Sequence, residues 1–97
     1  MNQKINLALQ ILPKSENANT YEIIDRAIEV IQKSGLTYVV CPFETVMEGT
    51  YEEVMKVVKE AQDVCFKHGA IEVIANIKIQ RAITHDVLID DKMKKYK

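Results

Sequence analysis

The sequence predicts an α+β fold in which a four-stranded antiparallel sheet carries two helices on one face. Two apolar patterns predict it: stretches that alternate with the period of a strand, and stretches whose apolar residues recur every three to four positions, as in a helix. Along the 97 residues these patterns give the order strand, helix, strand, strand, helix, strand. With right-handed crossovers, this order is a ferredoxin-like βαββαβ sandwich, followed by a short C-terminal helix.

The first predicted strand runs from Lys4 to Leu12, because every second residue is a large apolar one. We expect Pro13 to end it, since proline lacks a backbone donor. After a polar connector, Asn19 or Thr20 caps a helix that stops near Gly35. The apolar face of this helix consists of Ile23, Ile24, Ala27, Ile28 and Ile31.

The middle of the chain predicts a hairpin. Its strands are Thr37 to Cys41, which is rich in β-branched residues, and Thr45 to Thr50. The connection between them holds Pro42, Phe43 and Glu44.

The second half repeats the helix-strand order. Thr50 caps the second helix with Glu53 as its capping-box partner, and His68 lies near the end of that helix. The last strand runs from Ile71 to Ile79, and the charged tail from Ile89 to Tyr96 has helical spacing. The whole chain, residues 1–97, is therefore predicted to be one domain.

Composition narrows the classes of function. Thirteen basic and 14 acidic side chains leave a net charge of −1, whereas nucleic-acid binders usually carry a basic excess. The central strands also lack the aromatic residues that stack on RNA bases. No run approaches the ~18 apolar residues of a membrane span. The two cysteines form no C-x-x-C pair, so we expect reduced thiols in a cytoplasmic protein.

Catalytic and metal-binding patterns are weak. His68 and His85 are not at H-x-x-x-H spacing, and with Cys41 and Cys65 they match no zinc pattern. The three glycines are isolated, so no phosphate-binding loop is predicted. We therefore expect neither catalytic residues nor a metal nor a cofactor. A small enzyme that uses Cys41 or His85 remains an alternative.

One face of the predicted sheet has no helix over it. Ala8, Leu12 and Ile74 lie there among polar residues such as Gln10 and Asn76. A half-apolar face of this kind meets another sheet more readily than water. We therefore predict a homo-oligomer built on a two-fold dimer. The alternative is a structural or regulatory interaction module that uses the open face or edge to contact another protein.

The least generic segment of the chain is the hairpin from Cys41 to Gly49. Glu44 and Glu48 contribute two carboxylates, Thr45 a hydroxyl and Phe43 an apolar wall. Such groups suit a small ligand that carries an amine or a positive charge, because a carboxylate hydrogen bond to that group contributes ~1.5–3 kcal/mol. Two solvated acids on a surface hairpin are the plainer interpretation.

Four segments carry a resemblance to a known family. They are ALQILP (Ala8 to Pro13), CPFETVMEGTYEEVM (Cys41 to Met55), ANIKI (Ala75 to Ile79) and IDDKMKKY (Ile89 to Tyr96). Together they resemble the small thiamine-binding (YkoF-like) family almost from end to end. The most specific part is the hairpin signature [ST]-P-x-x-T-x-x-E-G. This chain has Cys41 in place of Thr or Ser, and Glu44 in place of the common Gly, which fills space beside Thr45.

The resemblance implies a ferredoxin-like domain that binds thiamine or its hydroxymethylpyrimidine moiety as a ligand, without catalysis. It also implies tetramers built from dimers, with sheets extended edge to edge and stacked, and with the ligand near subunit contacts. In this chain Glu44 or Glu48 would face the amine or the cation, Thr45 would donate to a ring nitrogen, and Phe43 would cover a ring. The expected ligand-binding residues are Gln10, Phe43, Glu44, Thr45, Glu48 and Asn76.

Two of these assignments have alternatives. Gln10 and Asn76 offer amide groups on neighbouring strands, but they also suit ordinary polarity at an oligomer interface. Lys78 is left out of the set, because its charge would oppose a thiazolium cation. We expect Glu48→Gln to weaken binding and to leave the oligomer intact.

Overall fold

A computed structural model describes residues 2–97 and confirms the predicted α+β architecture. The strands are β1 (Ile5–Lys14), β2 (Thr37–Val40), β3 (Thr45–Gly49) and β4 (Glu72–Gln80). The helices are α1 (Thr20–Gln32), α2 (Tyr51–Lys67) and α3 (Ile89–Met93), and a 3₁₀ turn follows at Lys94–Tyr96. The four strands form one antiparallel sheet in the order β2-β3-β1-β4.

Side-chain hydrogen bonds cap the first turns of the two long helices, α1 and α2. The Asn19 side chain accepts from the Tyr21 backbone N–H at 2.9 Å and starts α1. At the start of α2, Thr50 N–H donates to Glu53 Oε1 at 2.9 Å, while the Glu53 N–H donates back to Thr50 Oγ1. The bond from the Thr50 backbone lowers the pKa of Glu53. The predicted capping box is therefore present.

The core lies between the sheet and the two long helices. The alternation in β1 turns Leu7 and Leu9 toward the helices, where both are buried. Met47 of β3 is fully buried beside Leu7, its cross-strand partner. The helices cover this layer with Ile23, Ala27 and Ile31 from α1, and with Val54, Val57, Val58, Ala61 and Cys65 from α2.

The prediction that Pro13 ends the first strand is wrong. β1 continues to Lys14, and Pro13 pairs with Val73 of β4. The last residue of β1 that pairs with β3 is Leu9, so β1 has only one neighbouring strand at this end. Proline is tolerated there because the strand has a free edge on which no backbone donor is needed.

The prediction of a wholly uncovered second face is also wrong. We call this face the open face; it carries Asn6, Ala8, Gln10 and Leu12 of β1, Val46 and Glu48 of β3, and Ile74, Asn76, Lys78 and Gln80 of β4. Residues 86–97, the C-terminal segment, cover one end of it. Val87 and Ile89 are buried there. Among residues 2–97 no helix is long and apolar enough to span a bilayer.

Candidate functional site

A cavity of about 300 Å³ opens between α1 and the end of the sheet where β2 and β3 are connected. Leu9, Ala27 and Ile31 are buried and form its floor. Four of the six predicted ligand-binding residues line it: Gln10, Phe43, Glu44 and Thr45. The cavity thus combines an apolar floor with the polar groups of the hairpin.

Thr45 occupies the first position of β3 and pairs with Leu9 of β1. Because Leu9 faces the helices, its cross-strand partner faces them too. Thr45 is 5% exposed, and it brings a hydroxyl into an otherwise apolar region of the cavity. Preceding it, the Cys41 N–H donates to the Glu44 carbonyl oxygen at 2.9 Å and closes the connection between β2 and β3.

Gln10 and Glu44 also present polar atoms on the open face. Asn76 Nδ2 donates to Gln10 Oε1 at 3.1 Å, and Lys78 Nζ lies 3.1 Å from Glu44 Oε1. Asn76 and Lys78 thus join the same cluster without lining the cavity. The lysine offsets part of the Glu44 charge, and because it is largely exposed this ion pair adds little stability.

Glu48 lies toward the other end of the sheet. It pairs with Asn6 across β1 and β3, and it is buried. Its Oε1 accepts the Ile89 backbone N–H at 2.7 Å, while Asn6 Nδ2 donates to the Val87 carbonyl oxygen at 2.8 Å. The carboxylate therefore anchors the C-terminal segment, and Glu48 is not among the residues that line the cavity.

The cavity contains residues that we did not predict as ligand contacts. Tyr21, Ile24 and Ile28 of α1 all line it. Their spacing of three and four residues places them on one face of the helix. The sequence analysis assigned the two isoleucines to the core and gave no role to Tyr21. Helical spacing starting from Tyr21 is the signal that would have linked all three.

The candidates for nucleophilic chemistry lie far apart. Cys41 follows the end of β2 that pairs with Thr45, the residue whose other partner is Leu9 of β1, whereas the chain just after His85 is bonded to Lys4, at the opposite end of β1. Cys65 is fully buried; burial raises the pKa of its thiol, and Sγ donates to the Ala61 carbonyl oxygen. In the described part of the chain, no three His, Cys, Asp or Glu residues are grouped to hold a metal ion.

Comparisons with known proteins bear on this site. The chain matches the thiamine-binding protein family over residues 7–97. A UPF0045 protein of Clostridium perfringens is 39% identical over 92 residues, which is 95% of this chain and 96% of that protein. The structure also superposes on a DUF77 protein of Bacillus cereus with a TM-score of 0.96 and 38% identity, covering 99% of this chain and 92% of that one.

A further solved structure comes from Thermotoga maritima and is described as a candidate thiamine biosynthesis or salvage protein. Its TM-score is 0.86 at 32% identity, with 97% of this chain and 99% of that chain covered. The resemblance inferred from the hairpin and strand motifs is thereby confirmed. Because the family match spans nearly every residue and the relatives align over almost their full length, this chain belongs to the thiamine-binding protein family.

Proposed function

We propose that this protein binds thiamine or its hydroxymethylpyrimidine moiety in the cavity beside α1, and that it does so without catalysis. The observation that carries the proposal is the meeting of Gln10, Phe43, Glu44 and Thr45 at one cavity in a chain of the thiamine-binding family. Four residues that the sequence analysis proposed as contacts of one ligand thus line the same cavity.

The chemistry of the cavity fits such a ligand. A volume of about 300 Å³ is at the small end of ligand pockets, so it suits one heterocycle with the rest of the molecule at the opening. The Thr45 hydroxyl can donate to a ring nitrogen. The Glu44 carboxylate can accept from the aminopyrimidine amine or face the thiazolium cation. Phe43 offers a ring face.

The two remaining members of the proposed set lie on the open face, outside this cavity. Asn76 is hydrogen bonded there to the Gln10 side chain, at the same end of the sheet as the cavity. Glu48 lies toward the other end, where one of its oxygens accepts the Ile89 N–H; the proposal that it also contacts the ligand is tested below by Glu48→Gln. We propose no catalytic residue, because Cys41 and the loop of His85 lie toward opposite ends of β1.

Isothermal titration with thiamine and with hydroxymethylpyrimidine tests the proposal. We expect saturable binding of at least one of them and a matching rise in melting temperature, because a ligand that binds only the folded state stabilises it.

Thr45→Val keeps the side-chain shape and removes the hydroxyl. We expect it to weaken binding by about 2- to 10-fold, the loss of one net hydrogen bond.

Thr37→Val serves as the matched control, since Thr37 is exposed on β2 and does not line the cavity. It should bind like the unaltered protein. If neither ligand produces heat or a thermal shift at millimolar concentration, the proposed function is refuted.

We further propose that the protein is a cytoplasmic homodimer or homotetramer. All four residues of the edge strand β2 are exposed, among them Val39 and Val40. On the open face, the cross-strand pair Leu12 and Ile74 is also exposed. Uncovered apolar edges and faces of this kind favour association. Free cysteines at positions 41 and 65 are consistent with a reducing compartment.

Sedimentation velocity tests the assembly. We expect the mass of a dimer or a tetramer, and we expect Val39→Lys to shift the protein toward smaller species, because a charge on an edge strand opposes strand pairing. Phe66→Lys, at an exposed position of α2 away from the sheet edge, is the control. A strictly monomeric protein would contradict this proposal and favour the alternative, an interaction module whose edge or open face contacts a different protein.

A further inference from the structure

Two aromatic side chains stand at the rim of the cavity. Tyr21 is 78% exposed and Phe43 is 83% exposed, yet both line the cavity. The floor residues are almost wholly buried, so these two side chains must be at the opening. They come from different elements, Tyr21 from the first turn of α1 and Phe43 from the connection between β2 and β3.

The backbone at both positions is fixed by hydrogen bonds. The Tyr21 N–H is held by the capping side chain of Asn19, and Phe43 lies inside the turn closed by Cys41 and Glu44. The side chains themselves are mostly in solvent, so rotation about their χ angles is open to them. Fixed backbones with free rings allow both side chains to approach a molecule in the cavity.

The rings of Tyr21 and Phe43 are both exposed to water at the opening, so the favourable free energy of burying their apolar surface is not gained. An aromatic or other flat ring that enters between them restores this burial and adds stacking contacts with favourable geometry. Apolar surface that is clustered around a concave site usually marks a place of binding.

Charge narrows the class of ligand. Glu44 is the one charged residue among the described residues that line the cavity; the lining contains no Lys, Arg or His. Lys78, which lies beside this lining, is already paired with Glu44 at 3.1 Å, so a phosphate group would have to compete with that carboxylate for its cationic partner. A neutral or positively charged ring is favoured, because aromatic faces attract cations.

We propose that Tyr21 is the second aromatic wall of the ligand site, opposite Phe43, and that this pair selects planar heterocycles that are neutral or cationic and carry no phosphate. The inference builds on the proposed function and adds a specificity residue to its site. Tyr21 contributes through its ring face, and its hydroxyl is not required for binding.

Titration of three variants against four ligands tests the inference. The ligands are hydroxymethylpyrimidine, thiamine, thiamine monophosphate and, as an unrelated planar heterocycle, 4-aminoquinoline.

We expect Tyr21→Ala to lose about tenfold in affinity, a typical stacking contribution. Tyr21→Phe should stay within about twofold of the unaltered protein, since the ring is retained. Tyr96→Ala removes an exposed tyrosine that does not line the cavity and should change nothing. Thiamine monophosphate should bind more weakly than thiamine.

The panel separates the inference from the function on which it rests. If the unaltered protein binds thiamine or hydroxymethylpyrimidine and Tyr21→Ala binds them equally well, the inference is overturned while the function stands. If only 4-aminoquinoline binds and Tyr21→Ala loses it, the aromatic wall stands and the thiamine function is refuted. Binding of no ligand overturns both. Because Tyr21 is exposed, its replacement should leave the melting temperature and circular dichroism unchanged.

Discussion

Replacing Ile28 by phenylalanine is expected to abolish ligand binding and to leave the protein folded. Ile28 lies on the face of α1 that lines the cavity, one turn after Ile24, and is only partly buried. A ring added there occupies the space of about 300 Å³ that the ligand needs. We expect affinity to fall at least roughly hundredfold, equivalent to about 2.7 kcal/mol.

Alkylation of cysteine provides a second readout for this variant. Cys41 lines the cavity, so a bound ligand should slow its reaction with iodoacetamide. Cys65 is buried with a raised thiol pKa, and because the thiolate is the reactive form, it should contribute little at pH 8. In Ile28→Phe, the ligand should no longer protect Cys41.

The matched control is Gln32→Phe, which adds an aromatic residue to an exposed position of the same helix outside the cavity. It should bind and protect Cys41 like the unaltered protein. Normal affinity and normal protection in a folded Ile28→Phe variant would show that the ligand binds elsewhere.

Glu48→Ala should release the C-terminal segment from the sheet. The buried carboxylate of Glu48 accepts the Ile89 N–H, and removing it leaves a buried donor without a partner. The cost of such an unpaired group is about 1–3 kcal/mol. We therefore expect the free energy of unfolding, measured by urea denaturation, to fall by about 2 kcal/mol. The Ile89 amide should exchange its hydrogen faster than in the unaltered protein, and it should exchange before the amides of β1.

Two further variants interpret that result. Glu44→Ala removes an ion pair with the exposed Lys78, so it should cost less than about 1 kcal/mol. Glu48→Gln retains an acceptor for Ile89 and should keep the segment docked. If its affinity for ligand falls with the oligomer intact, Glu48 contacts the ligand; if affinity is unchanged, its role is structural. Unchanged stability in Glu48→Ala would refute the anchoring role.

The candidate site was predictable where its residues share one short segment. Phe43, Glu44 and Thr45 stand together in the hairpin, and the unusual composition of that hairpin was enough to propose them as a group; all three line the cavity. Tyr21 was missed because it lies in a different element, and because it precedes the apolar residues of α1 rather than standing among them. Its place at the cavity depends on how α1 packs over β1, which no local pattern specifies.

The sequence by itself determined the elements, their faces and their caps. The alternation in β1, the helical spacing in α1 and the capping box of Thr50 and Glu53 all depend on residues within a few positions of one another. Local sterics and short-range hydrogen bonds are sufficient to specify such features.

Only the tertiary structure decided what the two acids of the hairpin do. Glu44 reaches Lys78, 34 residues away, and Glu48 reaches Ile89, 41 residues away. The same holds for Pro13, which stays in its strand because β3 stops pairing at Leu9. Strand register and the path of the C-terminal segment set these contacts. Both result from packing of the whole chain, so identical local sequence is compatible with either outcome.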